Sequence, residues 1–287
     1  MPGNLARWIN RHEYPDIFYR IPGLLPLQWL TTRILYHRCW LIHRTLKGTL
    51  RTFDFPISYL DAGCGSGDFL VPLARKNRNS KFSGLDKSAA NLRMINIYTQ
   101  KKKIHNVNLI SLNLENKITL GSFDIILAAS VLHYVHDTQA LIQSFADHLR
   151  PGGKLIIYVP VNYRRFLPGY SWIRSRIMRD VDYDADKKPN EYLSLECLSA
   201  ELHRSGLQIE KERYLYGKAG QVVYEITSMS LLLIQKLPWF LAIPLILIYF
   251  PLVQPLMLVL AVMDYLLPTK HGNGLLLVAR KDQIKRL

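Results

Sequence analysis

At 287 residues, with 49% hydrophobic and 21% charged residues, the chain is too apolar to be a disordered polymer and long enough for one decorated domain. A net charge of +15 calls for an acidic partner, which leaves nucleic acid, anionic lipid head groups and acidic substrates open. Cys39, Cys64 and Cys197 stand far apart with no CxxC spacing, so no disulfide framework and no metal site is expected, and a reducing compartment is the simpler reading.

The first 51 residues carry eight Lys or Arg against two acids, interleaved with aromatics such as Trp8, Trp29, Tyr36 and Trp40. They lack the apolar core and cleavage site of a signal peptide. From about Leu27 to Leu50 the spacing of Leu30, Ile34, Trp40 and Leu41 predicts one amphipathic helix with a basic side, set against a membrane surface or packed on the core.

From residue 57 the period changes. ISYLDAG, KFSGLD, NLISLNL, FDIILAAS and KLIIYVPV read as five short strands separated mostly by helical patterns; LQIEKERYLYG and GLLLVARK read as a sixth and a seventh. Alternation of this kind predicts a doubly wound, mostly parallel α/β sheet. The polar run DVDYDADKKPNEY at 180–192 is expected to be a loop, suited to act as a lid.

In an open α/β sheet the ligand lies beyond the carboxyl ends of the strands. Gly63, Gly65 and Gly67 follow the first strand, but a dinucleotide fingerprint would need a glycine where Asp68 or Leu70 stands. Asp61 would repel a pyrophosphate and attract an ammonium, and Asp86 at the end of KFSGLD can accept both hydroxyls of a ribose. A nucleoside with a cationic amino-acid arm suits both acids.

The sequence DAGCGSG, then GLD ending at Asp86, then FDIILAASVLHYV, then LRPGGKLIIYVP resembles the class I S-adenosylmethionine-dependent methyltransferases, notably those of ubiquinone and menaquinone biosynthesis. The likeness spans about residues 57 to 217 plus the last strand. It implies S-adenosylmethionine as cofactor, with Asp61, Gly63, Gly65 and Gly67 at its methionine end, Asp86 at the ribose, and Asn113 and Leu114 at the adenine. Ala129 and Ser130 would border the methyl-transfer site. Asn113 departs from the Asp of many relatives, though its amide can still bond an adenine amino group.

Methyl transfer from a sulfonium needs positioning and, for some acceptors, one general base. His133 is the candidate base; the alternative is that it packs beneath its loop while Asp137 caps the next helix. Tyr158, Tyr163 and Tyr192 are expected to wall the acceptor pocket. The arginine- and aromatic-rich tract at 161–179 suits phosphates, anionic lipid or plain solvent.

Between Lys236 and Asp264 run 27 uncharged residues, enough to cross a membrane, which takes about 20. Pro238, Pro244, Pro251 and Pro255 are expected to break or kink a single straight helix, with Pro251 and Pro255 dividing the run into two short helices. If the sixth and seventh strands are neighbours, both ends of this insertion lie on one side of a membrane, and a re-entrant hairpin follows; the competing reading is a dimer interface. The expected organisation is a basic helical extension at 1–51, a methyltransferase core at 52–221, an apolar hairpin at 222–272 and a last strand with tail at 273–287. The expected function is methyl transfer to oxygen or carbon of a hydrophobic or lipid-like acceptor, by an enzyme held monotopically or peripherally on the cytoplasmic face of an anionic membrane. A nucleic-acid methyltransferase and a non-catalytic membrane scaffold are the alternatives.

Overall fold

The structure is a computed structural model that describes residues 20–116, 119–161, 165–170, 172, 176, 193–267 and 269–282. All seven expected strands form: β1 (Ser58–Ala62), β2 (Lys81–Asp86), β3 (Val107–Ser111), β4 (Phe123–Ala129), β5 (Leu149–Pro160), β6 (Leu207–Leu215) and β7 (Gly274–Lys281). Their order in the sheet is β3-β2-β1-β4-β5-β7-β6. The first five run parallel, and β7 runs antiparallel to β5 and β6 on either side. Strand order reverses between β1 and β4, which opens a crevice at their carboxyl ends.

Alternation along each strand sorts side chains to two faces. On one face Tyr59, Phe82 and Ile125 pack with helices α1 (Leu25–Leu35) and α2 (Arg38–Leu50), and with α3 (Val71–Lys76) and α4 (Ala89–Lys101). On the other, Leu60, Leu85 and Ile126 pack with α5 (Thr138–His148) and α6 (Leu195–Arg204). The helix starts are set locally: Ser88, Asp137 and Ser194 each accept a backbone N–H three residues on. The cap expected of Asp137 is thus present.

The single helix expected over 27–50 is instead two, because Tyr36 takes an extended backbone between α1 and α2. The break lets the buried His37 reach Asp264 at 3.0 Å, and Trp40 Nε1 donates back to the Arg33 carbonyl at 2.6 Å. The expected extension therefore divides: residues 1–19 lie outside the described residues, while α2 buries Leu41, Ile42 and Leu46 in the main core.

Between β6 and β7 the chain makes a hairpin of α7 (Lys218–Lys236) and α8 (Trp239–Leu266). Leu215 pairs with Gly274 across the sheet, so the hairpin leaves and returns at one place, as the strand order required. The expectation of two short apolar helices is corrected: α8 is one helix of 28 residues running through Pro244, Pro251 and Pro255. Spacings of seven and four put the three prolines on one face, so each removes a hydrogen bond without ending the helix; unwinding an apolar segment would leave more backbone groups unpaired.

The carboxyl-terminal end of α8 docks, with Met257, Ala261 and Asp264 buried against Val223 of α7 and against α2. Asp264 accepts hydrogen bonds from His37 Nε2, Tyr216 N and Gly220 N. The remainder is bare: Leu247, Ile248 and Leu252 are 68%, 61% and 72% exposed. Residues 243–266 are long and apolar enough to cross a membrane, and only 11% of the most apolar stretch is buried inside the protein.

Candidate active site

The glycine turn between β1 and α3 is built for close approach. Gly63, Gly65 and Gly67 all take left-handed φ angles, of 79°, 49° and 73°. A Cβ on Gly63 would stand 2.8 Å from Val131 Cγ2, so the position tolerates no side chain on either ground. Gly63 N and Cys64 N both donate to the Leu85 carbonyl at 2.8 Å, fixing the turn against the end of β2.

Beyond the turn lies a cavity of about 570 Å³ lined by Gly63, Gly65, Asp86, Asn113, Leu114 and Ser130, a volume suited to a nucleoside-sized ligand. Six of the expected cofactor residues therefore meet in one place. The Asp86 carboxylate is held by Gly65 N at 2.7 Å and Ser88 N at 2.8 Å, one on each oxygen. Each oxygen keeps a second lone pair for a hydroxyl. Asn113 Oδ1 accepts from Glu115 N at 3.2 Å.

Three expected residues are not among those that line this cavity. Gly67 lies behind the turn, where its carbonyl starts α3 by accepting from Val71 N. Ala129 is packed against the core. Asp61 sits beneath the turn at 1% exposure, and its Oδ2 has no hydrogen-bond partner. Burial, with repulsion from Asp86 and Asp68, pushes the Asp61 carboxyl well above the usual carboxylate range. A buried carboxylate left in that state suits a cationic ligand group, reached directly or through water, and the fit to an ammonium is one of charge and donor chemistry.

A second, smaller cavity of about 110 Å³ adjoins the first and shares Ser130 and Tyr134 with it. Its other walls include Arg38, His133, Tyr158, Tyr216, Gln221 and Tyr224. Ser130 holds a left-handed φ of 57°, unusual for a side-chain-bearing residue, and its N–H donates to the Tyr158 carbonyl at 2.7 Å. A Cβ on Gly274 would fall 2.2 Å from the Tyr158 hydroxyl, so a glycine at the start of β7 makes room for that phenol.

His133, 5% exposed, lies in a short 3-10 turn with its ring 4.1 Å from that of Tyr134. The structure thus brings the candidate base to the wall of the smaller cavity while also packing it under its loop. Tyr163, Tyr192 and the whole 180–192 loop lie outside the described residues.

Sequence reasoning missed the part played by the amino-terminal helices. Trp29 Nε1 donates to the Ser66 carbonyl at 3.0 Å, and Arg33 pairs with Asp68 at 2.6 Å, so α1 clamps the glycine turn. Arg38 brings the next helix to the second cavity. The basic, aromatic composition of the first 51 residues was the only available signal, and it carries no address.

Residues 60–155 match the family model described as a methyltransferase domain. The chain is 31% identical over 110 residues to a trans-aconitate 2-methyltransferase of Deinococcus radiodurans, covering 36% of this chain and 38% of that protein. It is 28% identical over 101 residues to a ubiquinone biosynthesis O-methyltransferase of Rickettsia typhi, covering 35% and 40%. The chain thus aligns with about two-fifths of the length of these curated relatives. Among solved structures, a protein described as a sarcosine dimethylglycine methyltransferase from Galdieria sulphuraria superposes with a TM-score of 0.55 at 17% identity, over 85% of this chain and 83% of that one. That likeness is one of fold.

Proposed function

Starting from a chain whose residues 60–155 form a methyltransferase domain of the class I, S-adenosylmethionine-using fold, we propose that the protein methylates a hydrophobic, lipid-like acceptor at a membrane surface. The observation that carries the reading is the pairing of the cofactor crevice with a helix that is apolar on every side and largely bare. An exposed helix of this kind belongs in lipid or against a partner.

S-adenosylmethionine, when bound, supplies an electrophilic methyl group on a sulfonium. Asp61 offers the negative charge for its ammonium, Asp86 the lone pairs for its ribose hydroxyls, and Asn113 with Leu114 the edge and face for its adenine. The Ser130 and Tyr134 junction joins the two cavities and is where an acceptor atom would meet the methyl group. His133 is the nearest candidate to take a proton from an acceptor hydroxyl or carbon acid.

The hairpin enters one leaflet and returns, because both its ends join neighbouring strands at paired positions. Basic residues on α2 and α7 and just past the end of α2, including Arg44, Lys47, Arg51 and Lys218, suit anionic head groups. A second copy of the chain is the other cover for the bare helix.

Two measurements test this. Incubation with radiolabelled cofactor and a total lipid extract should yield a labelled lipid; label only in RNA or protein would overturn the acceptor class, and no cofactor-dependent stabilisation would overturn the enzyme. Fractionation should show release from membranes by detergent and not by salt. Release by salt alone, or a detergent-free dimer that leaves vesicles untouched, would refute insertion of the hairpin.

A further inference from the structure

The smaller cavity contains a fixed positive charge with no carboxylate partner among the described residues. Arg38, at the start of α2, lines it; its guanidinium carbon stands 4.8 Å from the centre of the Tyr36 ring. Among the described residues Arg38 makes no ion pair. The buried carboxylates on neighbouring elements are committed elsewhere. Glu225 accepts from Phe166 N, Leu167 N and Gln221 Nε2, and Asp264 from His37, Tyr216 N and Gly220 N.

A second group in the same cavity is also unsatisfied. Tyr216 is 6% exposed, and its buried hydroxyl has no hydrogen-bond partner. A guanidinium with no carboxylate partner among the described residues, beside an unsatisfied phenol, is unfavourable in the unliganded protein, and an anion that accepts from both would relieve it. The planar fork of an arginine matches the oxygens of a carboxylate or phosphate.

Size narrows the ligand further. At about 110 Å³ the cavity is smaller than the ~150 Å³ that holds a benzene ring, so it admits a compact head and not a ring system or a chain. The wall formed by Gln221 and Tyr224 belongs to α7, whose Val223 packs on Met257 and Ala261 of α8. That wall therefore adjoins the base of the apolar hairpin.

We infer that the acceptor is an amphiphile with a compact anionic head, a carboxylate or a phosphate, held by Arg38 and Tyr216 while its apolar chain lies along the hairpin. Arg38 is the head-group receptor of the acceptor site. The inference deepens the function proposed above and rests on it.

The test is titration of the full-length protein, in nonionic detergent, with octanoate, octyl phosphate, octanol and octylammonium. The two anions should bind at least about tenfold more tightly than octanol, and octylammonium more weakly than any. The tighter of octanoate and octyl phosphate identifies the head. Arg38→Gln should abolish the preference, Arg38→Lys should retain part of it, and Tyr216→Phe should lose a smaller part. Equal binding of octanoate and octanol, no binding of either anion, or an undiminished preference in Arg38→Gln would overturn the inference. Cofactor affinity, measured on every variant, reports folding; should Arg38→Gln lose it, the wild-type ranking and Arg38→Lys decide. Failure of the wild-type protein to bind S-adenosylmethionine would sink the methyltransferase reading and leave the head-group result to stand by itself.

Discussion

The glycine turn and the apolar hairpin meet opposite demands. At the turn, polar backbone and the Asp86 carboxylate face a cavity with Asp61 buried beneath, and three glycines with left-handed φ angles make the approach. At the hairpin, large apolar side chains are pushed outward, with Leu247 and Leu252 more than two-thirds exposed. Each region is unsatisfied in the protein as it stands, the first in charge and the second in solvation. What each is missing motivates the ligands proposed above: a cationic nucleoside for one, lipid or an apolar partner for the other.

Substitutions that invert either region should show this. The largest effect is expected from Leu247→Asp with Leu252→Asp, which places two charges on the bare face of α8. At about 2.5–3.5 kcal/mol for each charge in the membrane core, vesicle binding should fall by several orders of magnitude, while the thermal midpoint stays within a few degrees. Vesicle flotation and a melting curve read the two halves of that statement. Unchanged flotation would place α8 outside the bilayer.

Next in size is Asp264→Ala, which leaves His37, Tyr216 N and Gly220 N without their shared acceptor and should cost about 3–5 kcal/mol in chemical denaturation. The hairpin and the acceptor cavity meet at Tyr216, so acceptor binding should weaken along with stability.

Asp61→Asn tests the turn. Cofactor affinity should drop about tenfold or more by calorimetry, since an amide cannot supply the charge. The sign for stability is the reverse. Because the folded carboxyl titrates well above its unfolded value, its contribution is full below the ordinary carboxylate pKa and is lost as pH rises through the folded value. The unliganded Asn variant should therefore melt higher than the parent at neutral pH and lack that part of the pH dependence. An Asn variant that melts lower and binds the cofactor normally would contradict both statements. The smallest effect is expected at Ser88→Ala, where loss of the α4 cap should cost about 1 kcal/mol.

Much of this was legible in the residue order. The seven strands, the glycine turn, Asp86 at the strand end and the Asp137 cap all depend on patterns a few residues long, because strand alternation, left-handed turns and helix starts are decided by near neighbours. The same locality explains the two misreadings. Nothing within the 27–50 window signals a break at Tyr36, which exists because His37 is drawn to Asp264, 227 residues away. The prolines of α8 look like helix breakers until the absence of any competing backbone partner in an apolar setting is weighed against them.

What the tertiary structure alone decided is the second cavity. Arg38, His133, Tyr158, Tyr216 and Asn273 come from five separate stretches of chain and meet only because β7 runs between β5 and β6 and α2 lies across the sheet. A charge with no counter-ion among the described residues cannot be recognised from composition, since a net charge of +15 offers dozens of cations and no geometry. The residue order by itself determined the seven strands and the glycine turn that follows the first of them. Packing between distant segments determined which arginine lines the smaller cavity beside Ser130 and Tyr134, because burial and pairing are properties of what the fold brings together.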